Sequence, residues 1–137
     1  MHSKVAQSGP RPGLFGWKRA DIDGYMRRWE FWWPWGEIHV HNILRADRER
    51  WPHDHPCGFI SFIVCGGYRE ELHTPEGIIN KWFRVGGVNI VGATTVHRLV
   101  AVLPNTWTIT IGTRKIRSWG FHTDGGFSPG RDYLGLQ

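Results

Sequence analysis

The chain has 137 residues, of which 40% are hydrophobic, and a formal net charge of +5. This length suits one domain with a core that needs no disulfides, and the 18 glycines, 8 prolines and 9 tryptophans favour an all-β fold over a helical bundle. The positive charge permits an anionic partner, whether a nucleic acid, a phosphorylated metabolite or a carboxylate, and does not choose among them.

The N-terminal part predicts an arm followed by a helix. Residues 1–16 are rich in Gly, Pro, Ser and basic residues, which is typical of a flexible arm. From residue 17 to 31, Ile22, Tyr25, Met26 and Trp29 recur at three- and four-residue intervals, which predicts one short amphipathic helix. Gly24 weakens that prediction because glycine disfavours a helix interior.

The remainder of the single domain, residues 17–137, predicts short strands. In EIHVHNIL, residues 37–44, side chains alternate with period two, and turn sequences such as TPEG, GATT and LPN separate the later segments. Many short strands without intervening helices indicate a sandwich or a barrel. The other strands are predicted at 53–65, 68–73, 78–85, 87–91, 97–103 and 106–113.

The cellular setting is inferred from the cysteines and the N-terminus. Cys57 and Cys65 lie too far apart on one predicted strand to pair, so free thiols in a reducing compartment are expected. The first residues lack the apolar stretch of a signal peptide, and no apolar run is long enough to span a membrane. A cytoplasmic protein is therefore expected.

Two histidines open the stretch HDHPCGFISFIVCGGYREE, residues 53–71. On a strand, His53 and His55 share a face with Cα atoms about 7 Å apart, so their imidazoles can converge on one ion. A third ligand must come from another strand, and His97 is the best candidate because a turn of small residues delivers it. Three neutral imidazoles suit Fe(II), Zn, Ni or Cu and leave positions open for water or substrate.

The competing interpretation is a pair of strand-end histidines that bind no metal. The order of the motifs argues against it: an HxH, an apolar strand that ends in Gly66 and Gly67, a hairpin, and a small-residue turn with a histidine. This order resembles the two-motif signature of the cupin superfamily. The sequence pattern HDHP...GGYREE, together with SWGFHTDGGF at 118–127, is also similar to that of a group of small bacterial and phage cupin-like proteins.

The resemblance covers roughly residues 37–134 and implies a double-stranded β-helix, or jelly-roll barrel. It implies His53, His55 and His97 as metal ligands. Phe59 or Ile60 stands where the family has a glutamate ligand, so the implied site has three histidines and keeps the full charge of the metal, which favours anionic substrates.

Four further residues are candidates for catalysis. His41 is predicted to line the barrel as an acid or base, and Ser61 shares the parity of His55; a surface histidine and a serine bonded to a buried carbonyl are the alternatives. Arg69, like Arg45, Arg84 and Arg114, could hold a substrate carboxylate or phosphate. His122 and Trp119 could form a C-terminal flap, although tryptophans in so small a domain are mostly structural.

The function predicted from these residues is a metal-dependent cupin enzyme. Three-histidine cupins include thiol dioxygenases, so the resemblance implies an Fe(II)-type oxygenase acting on a small polar or anionic molecule, with Zn, Ni, Mn or Cu as alternative metals. A non-catalytic ligand- or partner-binding module is the second hypothesis. A sugar-nucleotide isomerase or epimerase and a nucleic-acid binder rank lower. The aromatic run WEFWWPW could cover a sheet edge or build a homodimer contact.

Overall fold

The structure, a computed structural model, describes residues 13–22, 24–47, 51–113 and 119–129. These residues form eleven strands and no helix, so none of them belongs to a helix that could cross a membrane. The strands are β1 Gly16–Arg19, β2 Met26–Trp33, β3 Gly36–Ile43, β4 Phe59–Cys65, β5 Gly67–Thr74, β6 Gly77–Arg84, β7 Val88–Val91, β8 Val96–Val102, β9 Thr106–Thr113, β10 Gly120–Thr123 and β11 Gly126–Pro129.

Two antiparallel sheets carry the domain. The larger has six strands in the order β1-β2-β3-β9-β4-β7, and the smaller has three in the order β6-β5-β8. A hairpin of β10 and β11 continues the smaller sheet through His53, whose backbone bridges to both His97 of β8 and Phe121 of β10. The segment before β4 is thereby fixed between two strands.

The hydrophobic core joins residues of both sheets. Met26 and Ile43 come from β2 and β3, Ile63 from β4, and Tyr68, Phe83 and Leu99 from the smaller sheet; all six are buried. The inward faces of β5 and β8 pack against the large sheet. Because His53 bridges His97 near the start of β8, the inward side chains there lie close to the segment that holds His53.

The helix predicted over residues 17–31 is wrong, because β1 and β2 occupy this region as an antiparallel hairpin. Gly24 lies at the turn with a φ of +63°, a conformation that a helix does not contain. Ile22, Tyr25 and Met26 all contact the core from this hairpin, which explains their apolar character without helical spacing.

The later strands are confirmed with small shifts of their ends, but the strand predicted over 53–65 begins only at Phe59. Residues 53–58 form an irregular segment in which His53 alone makes a β-bridge. In the predicted N-terminal arm, residues 1–12 lie outside the described part, and Gly16 already belongs to β1.

Candidate metal centre

The structure brings His53, His55 and His97 together. His97 lies on β8 and is buried, whereas His53 and His55 come from the irregular segment before β4. Two backbone hydrogen bonds between His53 and His97, of 2.9 and 3.0 Å, align these residues side by side. The His55 N–H donates to the Ala93 carbonyl at 3.1 Å, which ties the second histidine to the turn before β8. Local backbone pairing, not strand alternation, therefore assembles the cluster.

The geometry of the three imidazoles suits a common ion. One ligand atom from each of them lies within 4.8 Å of the others, and the Nε2 atoms of His55 and His97 are 2.9 Å apart. Nitrogen ligands that share one ion at about 2.0–2.1 Å lie roughly 3 Å from each other. The donor set and its spacing thus fit a divalent metal of the kind that accepts imidazole.

Burial keeps the first histidine in its metal-binding form. Removal from solvent lowers the pKa of His53 to about 4, with the Asp47 carboxylate opposing that shift. A neutral imidazole offers a free lone pair, so His53 needs no deprotonation to bind a metal at neutral pH. The rings of Trp119 and Phe121 meet that of His53 at centroid distances of 6.4 and 6.0 Å and form an aromatic wall beside it.

A buried carboxylate orients His97 from behind. Glu70 of β5 hydrogen-bonds the Nδ1 atom of His97, leaving Nε2 for the cluster. Burial acts to raise the pKa of Glu70, but hydrogen bonds with His97 and Asn89 outweigh it and the pKa falls below its usual value. The carboxylate is therefore ionised and fixes the tautomer of His97, as acidic partners of metal-bound histidines do.

A polar network continues from Glu70 into the domain. The Asn89 side-chain amide donates to Glu70 at 3.3 Å and to the Tyr68 hydroxyl at 3.0 Å. Burial raises the pKa of Tyr68 to about 12, so its hydroxyl keeps its proton and interacts with Ser61. Ser61 in turn accepts a 3.1 Å hydrogen bond from Thr110. The serine proposed from parity thus belongs to a chain of hydrogen bonds that ends on His97.

The position of the missing glutamate is occupied by an aromatic ring. Phe59 lies edge-on to His55 at a centroid distance of 4.9 Å, while Ile60 points outward and is 39% exposed. Neither side chain can bind a metal. The carboxylate that contacts the cluster is that of Glu70. It bonds the Nδ1 atom of His97 and does not lie among the three imidazoles as a fourth ligand.

Asp54 and His122 form a second pair on the other side of the segment. Asp54 is 2% exposed and accepts hydrogen bonds from the Gly120 N–H at 2.8 Å and from His122 Nε2 at 3.0 Å. Its side chain points away from the histidine cluster, as expected for the middle residue of HxH. His122 lines an open groove of about 520 Å³ together with Glu71, Arg98 and other residues of the outer surface.

The remaining predicted residues lie elsewhere. His41 on β3 sits 3.4 Å from the Thr108 hydroxyl, and burial, with His39 and Arg28 nearby, lowers its pKa well below the usual value. Arg69 lies between the inward-facing Tyr68 and Glu70, so its side chain takes the opposite face of β5. The roles of His41, Ser61, Arg69 and His122 stay predictions.

Two of the other arginines stack on aromatic rings. Arg45 stacks on Tyr25 and Arg84 on Trp82, with distances of 5.2 and 5.1 Å to the ring centroids, and Arg114 lies outside the described residues.

Sequence reasoning missed Glu70 and Asn89. The sequence did contain one sign that Glu70 faces inward: alternation in GYREE places it on the same face as Tyr68. The contact of Glu70 with His97 depends on the pairing of β5 with β8, which puts Leu72 opposite His97 and Glu70 opposite Leu99. That register cannot be derived from either strand alone.

Comparison with solved structures identifies the architecture. An RmlC-like cupin from Shewanella frigidimarina matches with a TM-score of 0.54 and 17% identity over 70% of this chain and 82% of its own. KdgF from Halomonas sp. matches with a TM-score of 0.58 and 19% identity over 72% of this chain and 89% of its own. The chain has the cupin fold. No protein-family profile and no curated protein sequence matches it.

A third cupin-fold neighbour holds a metal. The Fe(II) form of HppE matches with a TM-score of 0.53 and 13% identity over 77% of this chain. This chain spans only 62% of the length of HppE, so the comparison concerns the cupin fold and not the whole of that protein. The neighbours thus show the fold, and the histidine cluster by itself offers three ligands for a divalent metal.

Proposed function

We propose that this protein is a metal-dependent cupin enzyme, an oxygenase that uses Fe(II) held by His53, His55 and His97. The observation that carries the proposal is the convergence of three imidazoles, one of them fixed by an ionised Glu70. When bound, Fe(II) would activate O2, which serves as the oxidant of the reaction. The Fe(II) in the neighbouring HppE supports this choice of metal, and Zn, Ni, Mn or Cu would fit the same nitrogen ligands.

The protein's own residues define the site around the metal. His97 is held in one tautomer by Glu70, and the ring of Phe59 packs against His55, so both imidazoles are oriented before an ion arrives. The rings of Trp119 and Phe121 pack beside His53 on the side of β10 and limit how its imidazole can turn. These contacts bind and orient; they do not themselves transfer protons.

The ligand set favours a small polar or anionic substrate. Three neutral histidines leave the charge of a divalent ion uncompensated, since Glu70 contacts an imidazole and not the ligand positions. A carboxylate, a phosphate or a thiolate would offset that charge. We place the reaction in the cytoplasm, where reducing conditions would preserve both Fe(II) and the free thiols of Cys57 and Cys65.

Metal analysis is the direct test. Protein purified without a histidine tag and loaded anaerobically with Fe(II) is expected to hold about one ion per chain by elemental analysis. His55→Ala should abolish binding, while His73→Ala, a histidine that faces the outer groove, should not. Wild-type protein that retains no metal would overturn the proposal.

Oxygen uptake then separates an enzyme from a binding module. The loaded protein is expected to consume O2 with one member of a panel of small acids, phosphonates and thiols, and the His55→Ala variant should consume none. Stoichiometric metal with no uptake across the panel would favour the non-catalytic alternative.

A further inference from the structure

The six-stranded sheet has an unusual distribution of side chains between its two faces. The row that faces the interior is polar across five strands: Glu30, His39, Thr110, Ser61 and Asn89 lie in register. A sheet with one solvated face normally places its apolar residues inward and its polar residues outward. This sheet does the reverse over much of its width.

The outward face carries two apolar rows in register. The first crosses all six strands, through Trp17, Phe31, Ile38, Ile111, Ile60 and Ile90. The second crosses five strands, through Trp29, Val40, Ile109, Phe62 and Val88. We call these two rows, with Val64 beside them on β4, the apolar face. Because neighbours in each row are cross-strand partners, the apolar face is continuous and not a set of scattered residues.

The side chains of the apolar face are accessible in the single chain. Nine of the twelve are exposed, by fractions that run from 38% for Ile109 to 65% for Trp17 and 77% for Ile90. The other three, Trp29, Ile38 and Val40, are half-buried. Converted to area, the exposed members sum to roughly 900 Å², whereas the largest apolar patch of a typical monomer is about 300–600 Å². A patch of this size marks an interaction surface.

We propose that a second copy of this chain covers the apolar face, so that two large sheets pack face to face in a symmetric dimer. The area supports this occupant, because a stable interface of standard size buries about 800 Å² on each partner. Two such sheets would pack in the manner of a β-sandwich, with side chains interdigitating between them.

Self-complementarity favours a second copy over a foreign protein. In a twofold interface the same patch meets itself, and a patch without charges does so without any like-charge contact. The two apolar rows contain no ionisable side chain. Among the described residues on this side of the sheet, the charged ones are Arg19 and Arg27, both at the β1–β2 edge. That position suits the polar rim of an interface, which remains accessible to solvent.

The charges at that edge argue against a membrane surface. Binding to anionic lipid requires a cluster of free basic side chains beside the apolar patch. Here Arg19 forms a 2.9 Å ion pair with Asp21 and stacks over Trp29, so it is already neutralised. Arg27 alone is a weak lipid anchor.

Sedimentation analysis of charged variants tests the dimer. Wild-type protein at micromolar concentration is expected to sediment at twice the chain mass. Ile111→Glu places a carboxylate at the centre of the apolar face and should raise the dissociation constant by about 100-fold or more. The matched control is Ile79→Glu on β6, where the side chain is 54% exposed on the other sheet; this variant should stay dimeric.

A second substitution and a lipid measurement complete the test. Phe62→Glu probes the neighbouring row and replaces Ile111→Glu if circular dichroism shows that the latter has lost its β structure. Wild-type protein that is monomeric at tens of micromolar, or a dimer that survives both substitutions, would overturn the proposal. So would a wild-type monomer that co-floats with neutral phosphatidylcholine vesicles, since the occupant would then be lipid.

Discussion

At the scale of single residues, Glu70 has the largest expected influence on the metal centre without being a ligand. Its carboxylate is ionised and hydrogen-bonded to the Nδ1 atom of His97, which makes Nε2 the nitrogen left for a metal. Such a partner both orients the ring and increases its basicity. A change that removes only the negative charge therefore separates these effects from the packing of the side chain.

We predict that Glu70→Gln lowers metal affinity by about 10–100-fold, because a neutral amide raises the basicity of His97 less than a carboxylate does. Competition of the protein with a chromophoric chelator measures the change. The adjacent Glu71 supplies a matched control: it faces outward and pairs with Arg98 at 3.1 Å, so Glu71→Gln should leave affinity unchanged. Equal losses in the two variants would show that Glu70 has no specific role.

The sequence allowed the three histidines to be predicted, but not the residues that support them. His53 and His55 are recognisable from their spacing, and His97 from the turn that precedes it. Glu70 and Asn89 contribute through contacts between β5, β7 and β8, and these depend on how the strands pair. The local reason for the cluster also differs from the prediction, because His53 and His55 lie in an irregular segment and not on a strand.

At the scale of elements, the connection between β4 and β5 depends on Gly66. This residue has a φ of +70°, and a Cβ atom there would lie 2.4 Å from the Thr106 hydroxyl and 2.7 Å from the Thr106 Cα. Thr106 is fully buried, and its hydroxyl bonds both the N–H and the carbonyl of Gly67, so it has no room to move. The close approach therefore demands glycine for steric reasons as well as conformational ones.

We predict that Gly66→Ala lowers the free energy of unfolding by more than about 3 kcal/mol, the sum of left-handed backbone strain and a steric clash. Gly86→Ala provides the comparison, because Gly86 has a φ of +82° but nothing within 4 Å of the added atom. Strain alone predicts a loss of about 1 kcal/mol there. Urea unfolding measures both values, and a loss at Gly66 no larger than that at Gly86 would contradict the steric argument.

Element prediction succeeded at β9, where the buried face is also the polar one, and it failed at β2. In MRRWEFWW, Glu30 faces inward while Trp29 and Phe31 face outward. Reversed polarity alone does not hide a strand, since β9 alternates polar and apolar residues and was predicted; in β2 the runs RR and FWW break that alternation. The three- and four-residue spacing of Ile22, Met26 and Trp29 then resembles a helix, although a hairpin produces it.

At the scale of the whole molecule, the histidine cluster joins segments that are distant in the chain. His53 bridges β8 and β10, and His55 is bonded to the turn before β8, so an ion bound by both and by His97 would cross-link these elements. A ligand that binds only the folded chain stabilises it in proportion to the logarithm of its concentration over its dissociation constant. Metal occupancy should therefore be visible in the stability of the entire domain.

We predict that Zn(II), which has no redox chemistry to complicate unfolding, raises the free energy of unfolding by about 2.7 kcal/mol at 100 times its dissociation constant. Urea unfolding with buffered Zn(II) measures the increment. Mg(II) at the same concentration should give none, because hard cations prefer oxygen ligands and the cluster offers only nitrogen. His97→Ala should remove most of the zinc increment whatever its own stability. An undiminished increment in that variant would mean that zinc stabilises the fold from another site.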